Sequence, residues 1–142
     1  MALHIHQFPC LSDNYGFLLH DDVSGLTASI DTPDGAEIAK QAKGKGWTLS
    51  HIFNTHHHFD HVGGAARMKA LLPNATFVMS QRGWDETDDD VAMWRGTPKE
   101  YDRIATDLVL ADGESVTLGG NRFTLIETPG HTWGTASYVY DV

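Results

Sequence analysis

Nine of the 142 residues are histidine, and four of these fall in one run of seven, Thr55-His56-His57-His58-Phe59-Asp60-His61. Imidazole nitrogens with a carboxylate among them are the usual ligands of zinc, and serve manganese or iron as well. In a sharp turn His56 and His58 can converge on one ion while Asp60 and His61 face a second, with His57 pointing away. Gly63 and Gly64 follow directly and let the backbone turn without a Cβ clash. A plain run of histidines is often only an exposed loop; Asp60 and His61 at this spacing, just after a strand, favour a metal. His131 lies in a second turn, Glu127-Thr128-Pro129-Gly130-His131-Thr132, where proline and glycine can aim an imidazole sideways. Alone it reads as an ordinary loop residue. With His56 and His58 it makes three protein ligands and leaves a fourth position for water, the arrangement of a catalytic rather than a structural zinc. His4, His6, His20 and His51 read as strand or loop residues and receive no role. Cys10 reads as a packing residue. Tyr15 could donate a hydrogen bond to a substrate, although an aromatic at the start of a strand is more often core.

These side chains need a frame. Residues 3–8 set Leu, Ile and Phe among His, His and Gln, with Leu3 and Ile5 at the period-2 spacing of a half-buried strand. Residues 15–20 and 26–31 read as the next two strands, joined by the turn composition of residues 21–25. Asp34 with Glu37 three positions on resembles a capping box that opens a helix running to Lys45, closed by Gly44 and Gly46. Residues 49–54 form a short strand, residues 55–64 a loop, and residues 65–72 a helix stopped by Pro73. Residues 75–80 read as a strand. Residues 81–106 read as helical in pieces, with the acidic run 85–90 as a solvated loop or helix start. Strands at 116–118, 121–128 and 136–142 follow, with Gly119-Gly120 as a hairpin turn. Such an order fits an α/β or α+β layered domain.

The length is that of one domain. Ten Lys and Arg against nineteen Asp and Glu give a net charge of −9, which repels phosphate backbones and disfavours nucleic acid. No apolar run approaches the ~20 residues of a membrane span, and His and Gln interrupt the N-terminus before a signal-peptide core could form. The single cysteine excludes an intramolecular disulfide and suits a cytoplasmic location.

The two motifs together, T-H-x-H-x-D-H and then T-P-G-H-T, resemble the metallo-β-lactamase superfamily. Within it, Phe8-Pro9-Cys10-Leu11-Ser12-Asp13-Asn14-Tyr15 with Ile52-Phe53-Asn54-Thr55-His56-His57-His58 is most similar to glyoxalase II, the hydroxyacylglutathione hydrolase. The resemblance implies an αββα sandwich, of which residues 1–142 supply, as a single domain, the N-terminal half and the start of the second. It implies up to two Zn2+ ions, with iron or manganese as alternatives. His56, His58 and His131 would hold the first ion, Asp60 and His61 the second. It also implies a hydrolase that uses a metal-bound hydroxide on an acyl carbon, with Asp60 as the catalytic carboxylate that orients it. The substrate would be a small molecule, first of all a glutathione thioester.

Three features depart from glyoxalase II. The gap between His61 and His131 is nearer to that of class B3 β-lactamases, so a class B3-like β-lactamase or a lactonase is the alternative. Thr132-Trp133-Gly134-Thr135 stands where T-x-G-H is usual. The chain stops at Val142, before the superfamily's bridging Asp and last metal-binding His, which makes a non-catalytic metal-binding fragment a further reading. One full sheet is expected from this length. The apolar faces of residues 15–20, 49–54 and 75–80 would then lack a cover, and the chain would self-associate through that surface or fold poorly.

Overall fold

The computed structural model describes residues 3–56, 72–98, 100, 106–132 and 134–140. In chain order its elements are β1 (Leu3–Cys10), β2 (Asn14–Asp21), β3 (Leu26–Ile30), α1 (Gly35–Lys45), β4 (Thr48–Phe53), β5 (Thr76–Ser80), α2 (Gln81–Trp94), β6 (Leu108–Leu110), β7 (Ser115–Leu118), β8 (Asn121–Glu127) and β9 (Ala136–Tyr140). Strands β1 to β6 form one sheet in that order, and β7 to β9 form a second. The pairs β1–β2 and β2–β3 are antiparallel, and the pairs from β3 to β6 are parallel. The second sheet is antiparallel throughout.

Neighbouring residues on a strand point to opposite faces, and the first sheet buries both. Leu18, Ile52 and Phe77 pack with Ile38 and Ala42 of α1 on the outer face. Their neighbours Leu19, Phe53 and Val78 pack against Val116, Leu118, Phe123 and Leu125 of the second sheet. Two-sided burial is why these strands carry apolar residues at adjacent positions, Leu18-Leu19, Ile52-Phe53 and Phe77-Val78. It also corrects the expectation of uncovered faces at β4 and β5: the β7–β9 sheet lies over them. Exposed apolar side chains remain at the other end of the first sheet, at Ile5 and Tyr15, and on β9 at Val139.

α1 forms where expected. Asp34 accepts hydrogen bonds from the Ala36 and Glu37 N–H groups, and Gly46, at φ 73°, ends the helix in the left-handed conformation. Glu37 accepts from Gln41 Nε2 at 2.8 Å. α2 differs from the expectation. The acidic run is neither a loop nor a helix start; it lies in the body of one helix capped by Ser80. Gly83, Thr87 and Val91 form a buried stripe at i, i+4 and i+8, while Asp85, Asp88 and Asp89 are exposed. β6 was not expected. The loop at residues 55–64 and the helix at residues 65–72 fall, from residue 57 to 71, outside the described residues.

Candidate metal centre

β3 and β4 are parallel neighbours, and the site is built at their C-terminal ends, where open α/β sheets usually bind ligands. The ladder continues one residue beyond β3, with the Asp31 N–H donating to the Phe53 carbonyl at 2.8 Å. Asp31 itself sits at φ 61°, a left-handed conformation that Asp and Asn adopt more readily than other side chains. Its buried carboxylate reaches β4's end: Oδ1 accepts from the Thr55 N–H at 2.6 Å, and Oδ2 accepts from the Thr55 hydroxyl at 2.8 Å.

The same Thr55 oxygen lies 2.9 Å from His56 Nδ1. A hydroxyl has a single hydrogen. With that hydrogen given to the carboxylate, Thr55 Oγ1 accepts from His56 Nδ1–H, and the imidazole lone pair is left on Nε2. His56 is buried. His131, exposed on the β8–β9 loop, stands edge-on to it, with ring centroids 4.8 Å apart and planes at 83°. An open cavity of about 340 Å³ is lined by Pro129, Gly130, His131 and Thr132. One imidazole with its tautomer set and a second in edge contact are donors of the kind a zinc ion takes, so these two residues fit such a group. His58, Asp60 and His61, together with His57, Gly63 and Gly64, lie outside the described residues. Among the described residues, no three His, Cys, Asp or Glu side chains converge on one point.

The two imidazoles belong to different sheets, and several contacts tie those sheets together beside them. The Ala136 N–H donates to the Thr55 carbonyl at 2.8 Å. The Tyr138 hydroxyl donates to the Asn54 carbonyl at 2.7 Å, and its ring stacks on Phe53 at 5.2 Å. Burial, and then the negative charge of Asp31, push the Tyr138 phenol well above its ordinary value, so it remains a donor. The buried Ser80 hydroxyl accepts from the Gly83 N–H and donates to the Gly134 carbonyl at 2.8 Å. A Cβ on Gly134 would stand 2.3 Å from the Gly83 backbone, so only glycine permits this approach. Thr135, at the departure from T-x-G-H, closes the loop on itself by accepting from the Thr132 N–H at 3.0 Å.

The histidines given no role lie away from this site. His20 stacks on Trp47 at 4.4 Å, His6 Nε2 meets Gln41 Oε1 at 2.9 Å, His4 pairs with Asp22 at 3.2 Å, and His51 contacts Ser50. Cys10 is core, and burial followed by the nearby Asp34 charge pushes its thiol up, the opposite of an activated nucleophile. Tyr15 is corrected: it is 56% exposed rather than core. Asp31, Ser80 and Tyr138 were missed. The one signal in the sequence was an aspartate closing an apolar strand directly before Thr32-Pro33.

The sequence profile of the metallo-beta-lactamase superfamily matches residues 25–142. A hydroxyacylglutathione hydrolase from Erythrobacter litoralis is 47% identical over 137 residues, covering 96% of this chain and 47% of that protein. One from Maricaulis maris is 42% identical, covering 94% of this chain and 46% of its own length. The chain therefore spans about half the length of the curated relatives it matches. A metallo-beta-lactamase from Legionella gormanii shares the fold with a TM-score of 0.75 at 23% identity, over 89% of this chain and 51% of that one.

Proposed function

The chain belongs to the metallo-beta-lactamase superfamily, and from that premise we propose that it is the metal-holding part of a glyoxalase II-like thioesterase, a hydroxyacylglutathione hydrolase. The observation that carries the reading is the edge contact of His56 with His131, with the Asp31–Thr55 pair leaving His56 Nε2 as the donor. His56, His58 and His131 would hold one Zn2+, and Asp60 and His61 a second; iron or manganese would suit the same donors. When bound, the metal supplies a water activated near neutral pH and a Lewis acid for the acyl oxygen.

The chain's own residues do the rest. Asp31 accepts two hydrogen bonds from Thr55, so that Thr55 can hold the His56 proton on Nδ1 and stop the ring from turning. The 129–132 turn leaves an open cavity beside His131 in which an acyl group can lie. Asp60 would orient the attacking water. Hydroxyacylglutathione hydrolase is the name carried by the relatives of 42% and 47% identity, which supports a glutathione thioester as the small-molecule substrate. We read residues 1–142 as one domain acting in the cytoplasm. No helix among the described residues is long and apolar enough to cross a membrane.

The test is zinc analysis together with hydrolysis of S-lactoylglutathione, a lactone and a cephalosporin. The protein is expected to take up zinc and cleave the thioester. His58→Ala should lose tight stoichiometric zinc. Asp60→Ala should keep the far-UV circular dichroism and melting of the metal-free protein while turnover falls by ~100-fold. Cleavage of the lactone or cephalosporin alone would replace the substrate assignment, and zinc binding without turnover of any substrate would leave a metal-binding fragment.

A further inference from the structure

We propose that the Tyr138 hydroxyl is a positioning group that sets the approach of His56 to His131. The proposal rests on the reading of those two histidines as ligands of one metal. His56 follows β4 in the first sheet and His131 precedes β9 in the second, so their separation is fixed only by what joins the sheets at this end. Tyr138 joins them: its hydroxyl bonds the Asn54 carbonyl, two residues before His56, from a position 84 residues away in sequence. The bond acts beside a main-chain one, Ala136 N–H to Thr55 O, so two consecutive carbonyls leading into His56 are gripped from β9. The grip is directional because the Tyr138 ring lies nearly parallel to Phe53, at 17°, and cannot slide without losing the stack. It acts on metal affinity by holding two donors at their working separation before the ion arrives, as groups behind metal ligands do.

β9 contains its own control. Tyr140 has the same chemistry two residues on. Its ring stacks on Phe123 at 5.1 Å and 26°, and its hydroxyl bonds Asn121 Oδ1 at 2.9 Å, within the second sheet rather than across to β4. Tyr138→Phe removes the bond to the Asn54 carbonyl and a longer contact at 3.5 Å to the Val78 carbonyl, Tyr140→Phe removes the bond to Asn121, and both keep the stacked ring. A merely structural role predicts that both lower stability, by different amounts, and leave the ring contact and zinc affinity of the folded protein alike. Positioning predicts that they differ.

The experiment uses histidine-labelled protein stripped of metal, followed by zinc titration. In the metal-free state the wild type and Tyr140→Phe should both show a ring-to-ring nuclear Overhauser contact between His56 and His131, weakened or lost in Tyr138→Phe. Zinc affinity should fall about tenfold in Tyr138→Phe and by less than twofold in Tyr140→Phe. An unchanged ring contact and unchanged zinc affinity in Tyr138→Phe would overturn the proposal while leaving the ligand assignment standing. Equal losses in the two variants would also overturn it, in favour of general destabilisation. If the ring contact depends on Tyr138 but zinc does not bind at His56 and His131, the positioning holds and the ligand assignment is what fails.

Discussion

One residue, Asp31, orders the donor chemistry of the site without being a candidate ligand. Its carboxylate accepts from both the main chain and the side chain of Thr55, and that acceptance decides which His56 nitrogen carries hydrogen. Asp31→Asn tests the carboxylate without straining the backbone, because asparagine also tolerates the left-handed conformation that position 31 requires. The amide offers one acceptor oxygen where the carboxylate offers two, so one Thr55 hydrogen loses its partner. Zinc affinity should fall about tenfold and the metal-free protein should lose roughly 1–3 kcal/mol. Calorimetric titration and urea denaturation measure both, and a variant with unchanged zinc affinity would remove Asp31 from the account. His58, Asp60 and His61 lie outside the described residues, while His56 and the Pro129-Gly130-His131 turn, which the structure brings together, were legible from residue type and spacing. Asp31 was not, because its role depends on a neighbour 24 positions away that only the parallel β3–β4 pairing brings close.

At the scale of elements, the β8–β9 loop is held against the start of α2 by two facing glycines. An alanine at position 134 would push its Cβ into the Gly83 backbone, which cannot rotate away as a side chain would. Gly134→Ala should cost about 3 kcal/mol, the upper end of overpacking penalties, and should also weaken zinc binding through His131. Thermal melting with and without zinc separates the two effects; a melt like that of the wild type would mean that the loop and α2 part easily. Elements whose signals are local were readable in the sequence: the Asp34 cap and Gly46 stop of α1 and the Gly119-Gly120 hairpin; β1 was found as a strand, but its expected apolar face was not, since Ile5 is exposed and Phe8 is buried. β6 is only three residues long, too short for a period to show, and exists because Val78, Met79 and Ser80 offer it a parallel edge. α2 was misread because its buried stripe is made of glycine, threonine and valine, which a search for apolar spacing does not find.

For the whole molecule, acid is the condition that weakens the fold. The Ser24 hydroxyl, donating at 2.6 Å, holds the buried Asp21 carboxyl below its ordinary value. A carboxyl lowered in the fold contributes stability that is complete above the unfolded value near 4 and is lost as pH falls through the folded one. Burial likewise lowers the His51 imidazole. The unfolded chain then takes up that proton first, and stability erodes as pH drops below ~6.5. Urea midpoints of the metal-free protein should therefore fall from pH 7 to 5.5 and again below pH 4. Asp21→Asn should flatten only the lower step, and equal slopes in variant and wild type would exclude Asp21 as its source. The surface carries a second expectation. Ile5 is 68% exposed beside a 300 Å³ groove lined by Leu3, Leu19, Ile30, Phe123 and Tyr140. We expect a second copy of this chain to cover it, so that light scattering reports a mass above the monomer and Ile5→Lys lowers it; a monomeric wild type at high concentration would rule this out.

The seating of the two imidazoles on different sheets also fixes when the site can come into being. The bonds that bring them together join residues 54 and 84 positions apart, so each must close a long loop before it forms. As the chain is synthesised, His56 appears long before the strand that grips the turn leading into it. A growing chain thus has no assembled cradle to offer a passing ion until β9 has emerged and docked. On the proposed reading of His56 and His131 as ligands, occupancy by metal then reports that β9 has docked.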